Sequence, residues 1–100
     1  MDEERLIDQV RAGRPEAERA LYEAHVDRVY RLAHRMMGEA HAAEDLTQEV
    51  FVKVFDRIGS FRGESSLATW IHRITVTMAL NSLRTRKGRQ RHELSVDDTT

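Results

Sequence analysis

Apolar residues recur at three- to four-residue spacing along most of the chain, which indicates helices rather than strands. This periodicity predicts helices over about 3–12, 15–37, 42–58 and 67–86. Gly13, Gly38 and Gly59 fall where the first three would end, and Ser65 or Ser66 can cap the start of the fourth. The expected fold is therefore all-α, a compact bundle of three to four helices.

The apolar stripe of each predicted helix identifies the candidate core. In the second helix it comprises Tyr22, Val26, Val29 or Tyr30, Ala33, and Met36 or Met37. In the third it comprises Leu46, Val50, Phe51, Val54, Phe55 and Ile58. In the fourth it comprises Leu67, Ile71, Ile74 and Met78. Trp70 falls at the edge of the last stripe, so a core role and an exposed role are equally open.

Charge is distributed unevenly along the chain, although the net charge is only −1. Residues 1–56 carry 13 acidic and 8 basic side chains, a balance of −5, whereas residues 57–100 carry 4 and 8, a balance of +4. Six Arg or Lys and no carboxylate lie between Ile71 and His92. This split suggests two partners of opposite charge. Compensation of the helix dipole is the alternative, but it needs fewer cations.

The exposed side of the third helix carries a polar ridge, which we call the acidic ridge. It consists of Asp45, Gln48, Glu49 and Val52, with Lys53 beside it. Carboxylates and an amide around one apolar residue suit a partner helix that bears arginines. An ordinary solvated helix face is the alternative, and the ridge alone favours that alternative.

The fourth helix places Thr69, Arg73, Thr77 and Arg84 together on a side that its apolar stripe leaves free, which we call the reading face. Arginines interleaved with short hydroxyl side chains are typical of nucleic-acid surfaces. Trp70 beside them could stack on a base. The polar loop 60–66 could hold an extruded base, although a helix-capping turn also explains its Ser and Gly. Phe61 within it is better interpreted as a plug on the core.

The segments DLTQEVF, SFRGESS and TWIHRI, followed by the arginine-rich end, resemble region 2 of bacterial sigma factors of the sigma-70 family. Within that family the chain is most similar to the extracytoplasmic-function (ECF) class. The resemblance extends over 6–91 and implies a sigma-2 helical domain over 1–88, with 89–100 as a polar tail or the start of an interdomain linker. ECF sigma factors usually carry a second, helix-turn-helix domain. The residues after Gly88 are too few to form it, so we expect the chain to be part of a longer protein.

The resemblance also implies partners and site residues. The acidic ridge, Asp45, Gln48, Glu49, Val52 and Lys53, would dock on the clamp helices of the RNA polymerase beta-prime subunit. The loop and the fourth helix would recognise and melt the promoter minus-ten element on its non-template strand. The implied DNA-binding residues are Ser60, Phe61, Arg62, Gly63, Glu64, Ser65, Ser66, Thr69, Trp70, Arg73, Thr77, Asn81, Arg84, Arg86 and Lys87. Thr77 and Asn81 stand where the family usually has Asn and often has Asp, so the promoter preference should depart from the common one.

Other classes of protein fit the sequence less well. It has no nucleophile motif, no phosphate-binding glycine loop and no paired metal-ligand spacing, so we expect neither an enzyme nor a cofactor. A protein-interaction domain whose main partner is an anti-sigma protein is the alternative function. The start MDEER is unlike a signal peptide, and no apolar run approaches the roughly 20 residues needed to cross a bilayer. We therefore expect a cytoplasmic protein without membrane insertion.

Overall fold

A computed structural model describes the backbone of residues 2–98 and the side chains of residues 2–87. Over that range the chain forms α1 (Glu3–Arg11), α2 (Pro15–Met37), α3 (Ala40–Arg57), a 3-10 turn (Ile58–Ser60) and α4 (Leu67–Asp98), and it has no strand. The helices α2, α3 and α4 pack against one another, and α1 packs against α2 and the 3-10 turn. The prediction of an all-α bundle is confirmed.

The helix ends follow the local signals in the sequence. Pro15 occupies the first position of α2, where its fixed φ suits a helix and its missing N–H costs nothing. Gly38 ends α2 with a φ of 76°, a left-handed conformation that favours glycine. The N–H of Gly38 donates to the carbonyl of His34 at 2.8 Å. The predicted end of α2 near Met37 is therefore confirmed.

The start of α3 differs from the prediction by about two residues, because Glu39 acts as its N-cap. The Glu39 carboxylate accepts hydrogen bonds from the backbone amides of His41 at 2.7 Å and Ala42 at 2.9 Å. These bonds satisfy amides that have no partner within the helix. They also lower the pKa of Glu39, because they stabilise its ionised form. Glutamate is an uncommon N-cap, so this start of α3 is difficult to predict from the sequence.

The core joins all four helices, and its largest fully buried side chains are Leu21, Val50, Val54, Leu67, Ile71 and Thr75. The predicted stripe of α3 is confirmed, with Phe55 only partly buried. The predicted apolar stripe of α2 is wrong at Tyr22, whose side chain is 42% exposed. Leu21 beside it is fully buried instead.

The buried side of α4 includes one polar residue, Thr75. Ile74 and Met78 pack against the core, but Thr75 and Ala79 are buried more deeply. Thr75 tolerates burial because its hydroxyl donates to the carbonyl of Ile71 at 2.8 Å. A threonine within a stripe of larger apolar residues is easily assigned to the outside when only the sequence is considered.

The fourth helix is longer than predicted, because α4 continues past Arg86 to Asp98. The segment after Arg86 contains no proline, and a single glycine such as Gly88 costs a helix only about 1 kcal/mol. The assignment of 89–100 as a tail or linker stays a prediction, and its last two residues lie outside the described ones. Although α4 has 32 residues, none of the described helices contains an apolar stretch long enough to cross a membrane.

Candidate nucleic-acid and protein interfaces

The loop between the 3-10 turn and α4 is anchored by one aromatic side chain. Phe61 is 6% exposed and belongs to the core. Its ring lies 5.0 Å from that of Trp70, between centroids, with an interplanar angle of 48°. Trp70 is half-buried, so one part of its ring packs and another part remains accessible. The interpretation of Phe61 as a plug on the core is confirmed, and its contact with DNA stays a prediction that burial makes less favourable.

Two long-range links from α1 hold the same loop. The guanidinium of Arg11 donates to the carbonyl of Ile58 at 3.2 Å and also to the carbonyl of Phe61. The carboxylate of Glu3 accepts a hydrogen bond from the backbone N–H of Leu67 at 3.1 Å. These bonds satisfy backbone groups at the two ends of the loop. They join residues 47 to 64 positions apart, so no local pattern in the sequence predicts them.

Serines define the boundary between the loop and α4. The N–H of Thr69 donates to Oγ of Ser66 at 3.1 Å, and that hydroxyl donates to Oγ1 of Thr69 at 2.9 Å. Ser66 rather than Ser65 is therefore the N-cap of α4. The Ser60 hydroxyl donates to the carbonyl of Arg57 at 2.9 Å. Gly63 has a φ of 74°, which a side-chain-bearing residue there would find strained.

A small cleft lies between this loop and the first turns of α4. Its volume is about 180 Å³, and it is lined by Ser60, Phe61, Arg62, Glu64, Ser65, Trp70 and Arg73. All seven are predicted site residues, so the fold brings loop and helix residues together as the sequence indicated. Arg62 and Arg73 supply positive charge, Glu64 and the serines supply hydrogen-bond acceptors, and Trp70 supplies an aromatic wall. We call this the loop cleft.

The reading face is exposed along α4. Thr69, Arg73, Thr77 and Arg84 are all exposed, and Lys87 falls on the same side at about 100° per residue. Asn81 is exposed at its edge.

Arg86 is also exposed but falls on a different side of α4. Its charge lies close enough to Glu39 to lower the pKa of that carboxyl further, after the two amide hydrogen bonds. Arg84 and Lys87 therefore share the reading face, whereas Arg86 lies toward the start of α3.

Leu80 is a candidate site residue that the sequence reasoning missed. Its side chain is 47% exposed and lies on the reading face between Thr77 and Arg84. Its spacing of three and four residues from those neighbours was the available signal, but a leucine is usually assigned to the core. An apolar side chain in a polar nucleic-acid surface can contact a thymine methyl group.

The acidic ridge is exposed as predicted. Asp45, Gln48 and Glu49 are all exposed, and Val52 is 72% exposed, which is unusual for a large apolar residue. Lys53 is half-buried on the flank of the ridge.

Gln48 also lines a groove of about 490 Å³ between α2 and α3. Tyr22 lines the same groove, and its ring meets Phe51 edge-on at 4.8 Å. The ridge thus continues into a groove with a fixed, half-exposed aromatic residue.

Among the described side chains, no group of three or more His, Cys, Asp or Glu is placed to hold a metal ion. The candidate sites described above are built from arginines, hydroxyls and one helix face that carries carboxylates.

Comparison with known proteins places these surfaces in a family context. Residues 21–89 match the family model for Sigma-70 region 2. The ECF RNA polymerase sigma factor SigE of Mycolicibacterium smegmatis is 45% identical over 78 residues, which make up 78% of this chain and 30% of that protein. The ECF RNA polymerase sigma factor SigW of Bacillus subtilis is 33% identical over 81 residues, 81% of this chain and 43% of that protein. The chain thus spans less than half the length of either relative.

A solved structure has the same fold. It is an NMR structure of an engineered region 2 of sigmaE in complex with GTAAAA. It superimposes with a TM-score of 0.76 at 28% sequence identity, covering 89% of this chain and 97% of that one. The arrangement of the helices that carry the loop cleft, the reading face and the acidic ridge is therefore shared with that structure.

Proposed function

Because the chain belongs to the sigma-70 region 2 family, we propose that it acts in transcription initiation as the region 2 domain of an ECF sigma factor. In this role it binds the RNA polymerase core, and it recognises and melts the promoter minus-ten element. The observation that carries the proposal is the loop cleft, which opens beside the arginines and hydroxyls of the reading face. The similar structure was solved with GTAAAA, and we infer that this chain binds a strand of the same kind.

Melting in this proposal is a matter of binding energy. Unstacking one base costs a few kcal/mol, and stacking on an aromatic side chain returns about 1–3 kcal/mol per base. Trp70 supplies the aromatic surface, and Arg62, Glu64 and Ser65 supply polar contacts to a base in the loop cleft. Arg84 and Lys87 hold phosphates along the reading face. The strand leaves the duplex because its contacts are better on the protein, and no chemical step is required.

The second partner is the polymerase. We propose that the acidic ridge docks on the clamp helices of the beta-prime subunit, where its carboxylates would pair with basic side chains. The exposure of Val52 supports this, since an apolar residue among carboxylates suits the centre of a protein interface. The place of action is then the cytoplasm. An anti-sigma protein that covers these faces would be a further partner.

Sequence-dependent binding of single-stranded DNA tests the promoter-reading role. The measurement is the affinity for GTAAAA relative to a scrambled hexamer, at low salt and with core polymerase present. Arg73→Ala combined with Thr77→Ala should reduce this preference by about 1 kcal/mol or more, the order of one lost base contact.

Arg19→Ala is the matched control, because Arg19 is an exposed arginine on the outer side of α2. Its loss should leave the preference unchanged. If the unaltered chain bound both hexamers equally under these conditions, the promoter-reading role would be wrong.

A further inference from the structure

A groove between α2 and α4 adjoins the reading face, with which it shares Thr69. It consists of two adjoining cavities of about 270 and 730 Å³ that share Arg28, Leu32 and His72 in their walls. Apart from Tyr30, the ionisable side chains that line it are basic, and they comprise His25, Arg28, Arg31, His34, Arg35 and His72. Among the side chains that the structure describes, no carboxylate lines either cavity. We call this the basic groove.

The arginines of the basic groove are available to a ligand. Arg28, Arg31 and Arg35 are exposed and recur at spacings of three and four residues, so they follow one side of α2. None of them forms an ion pair with the side chains described between residues 2 and 87. Arg31 donates to the carbonyl of Asp27 at 3.3 Å. Arg28 and Arg35 are therefore the two arginines chosen for substitution below.

Arg28 lies in the walls of both cavities, and His25 lies beside it in one of them. The positive charge of Arg28 lowers the pKa of His25, in addition to the larger effect of burial. Glu3 acts in the opposite direction on His25, but its carboxylate already accepts the N–H of Leu67. The groove therefore presents fixed cations without a carboxylate of its own to neutralise them, an arrangement that favours a polyanion.

The basic groove is continuous with the reading face. Thr69 lies in the wall of the groove and also begins the reading face. Ala68 beside it is small, so a strand can pass the first turn of α4 closely. A strand that left the reading face at Thr69 would enter a cavity that Arg28 also lines.

We propose that the basic groove binds backbone phosphates of the same DNA strand beyond the minus-ten hexamer. The inference rests on the proposed function for the identity of the polymer. Arginine side chains at regular spacing suit phosphates, which fix the path of a strand without reading its sequence. Leu32, half-buried between the arginines, adds a small apolar contact for a sugar or base.

The test compares three single strands: GTAAAA alone, and GTAAAA with an oligothymidine tail at its 5′ or its 3′ end. The full chain should bind one of the tailed strands more tightly than the hexamer. In the double variant Arg28→Gln with Arg35→Gln, this gain should disappear. The slope of log affinity against log salt should also become less negative by about 1.4. Two phosphate contacts are lost, and each contact to a single strand contributes about −0.7. Over a fourfold change in salt, that difference is about sevenfold in affinity.

The control is Arg19→Gln, which removes one arginine charge from the outer side of α2 and should leave the slope unchanged. Circular dichroism and thermal unfolding verify the fold of each variant, and exposed positions such as these usually change stability by no more than about 0.5 kcal/mol. If the folded double variant bound the tailed strand with the original affinity and slope, the phosphate role would be overturned.

Two further outcomes separate this inference from the proposed function. A chain that shows the change in slope but does not prefer GTAAAA over a scrambled hexamer would retain the groove and lose the promoter-reading role. Polyglutamate serves as a second polyanion. If it bound as tightly as the tailed strand, with the same dependence on Arg28 and Arg35, the groove would be a site for an acidic protein and the phosphate proposal would fail.

Discussion

Phe61 gives the polar loop its fixed position. Its neighbours in the sequence are exposed, yet its own ring is buried against Trp70. Because its carbonyl also accepts from Arg11, both its side chain and its backbone are held. A buried residue thus holds the serines and Arg62 in position around the loop cleft.

Replacing Phe61 should therefore cost stability as well as binding. Phe61→Ala removes a buried aromatic ring, for which losses of about 3–5 kcal/mol in the free energy of unfolding are usual. Urea unfolding measures it. Arg62→Ala, one exposed residue further on, should change the same quantity by about 0.5 kcal/mol or less. Equal losses in the two variants would contradict the anchoring role.

Burial of a side chain is easier to predict from the sequence for some residues than for others. Leu67 and Ile71 were assigned to the core correctly, since large aliphatic side chains in a helical stripe have few alternatives. Leu80 and Tyr22 are exposed although their types suggest burial. The rotation of each helix against its neighbours decides such cases, and the sequence of one helix does not contain it.

At the scale of elements, α3 presents two faces with separate roles. Its inner face supplies Leu46, Val50 and Val54 to the core, and its outer face is the acidic ridge. Because the inner face holds the helix in place, the outer face can change without unfolding the bundle.

Reversing charge on the ridge should abolish docking and preserve the fold. Asp45→Arg combined with Gln48→Ala should eliminate measurable binding to the isolated clamp helices, because a cation would then meet the basic partner expected there. A pull-down or calorimetric titration measures it. Glu23→Arg reverses one charge on the exposed side of α2 and should bind normally. Retained binding in the ridge variant would show that docking occurs elsewhere.

Helix ends were predictable where one residue determines them and not where distant residues do. Pro15 and Gly38 mark their ends through their own backbone preferences. The positions of the loop cleft and of Leu67 depend on Arg11 and Glu3, which lie in another helix. The sequence therefore indicated that the residues lining the loop cleft lie together, but it did not indicate what fixes their geometry.

At the scale of the whole molecule, His25 of α2 lies in a cavity that α4 also lines, and charged residues of α1 and α2 affect its pKa. Burial lowers its pKa from the usual 6.5, Arg28 lowers it further, and Glu3 opposes both. The unfolded chain thus takes up this proton at higher pH than the folded one. The contribution of His25 to stability is complete above the unfolded pKa and is lost as pH falls below about 6.5.

Thermal unfolding from about pH 8 to about pH 5.5 tests this linkage. The melting temperature of the unaltered chain should fall over this range, and His25→Gln should fall less, because it cannot be protonated. His41→Gln is the control, since His41 is largely exposed and should follow the unaltered chain. If His25→Gln and the unaltered chain lost stability in parallel, another group would be responsible.

The two links from α1 to the loop predict that the loop becomes structured late in folding. They join positions 47 to 64 residues apart, whereas α2 and α3 are neighbours in sequence and pack directly against each other. Contacts over long sequence separations close costly loops, so they tend to form after local ones. We therefore expect undocking of the nine residues of α1 to loosen the loop, which Phe61 still anchors to the core, before the other three helices unfold. Amide hydrogen exchange at Leu67 measures this opening, which would be controlled by a helix that lies before the segment matched by the family model.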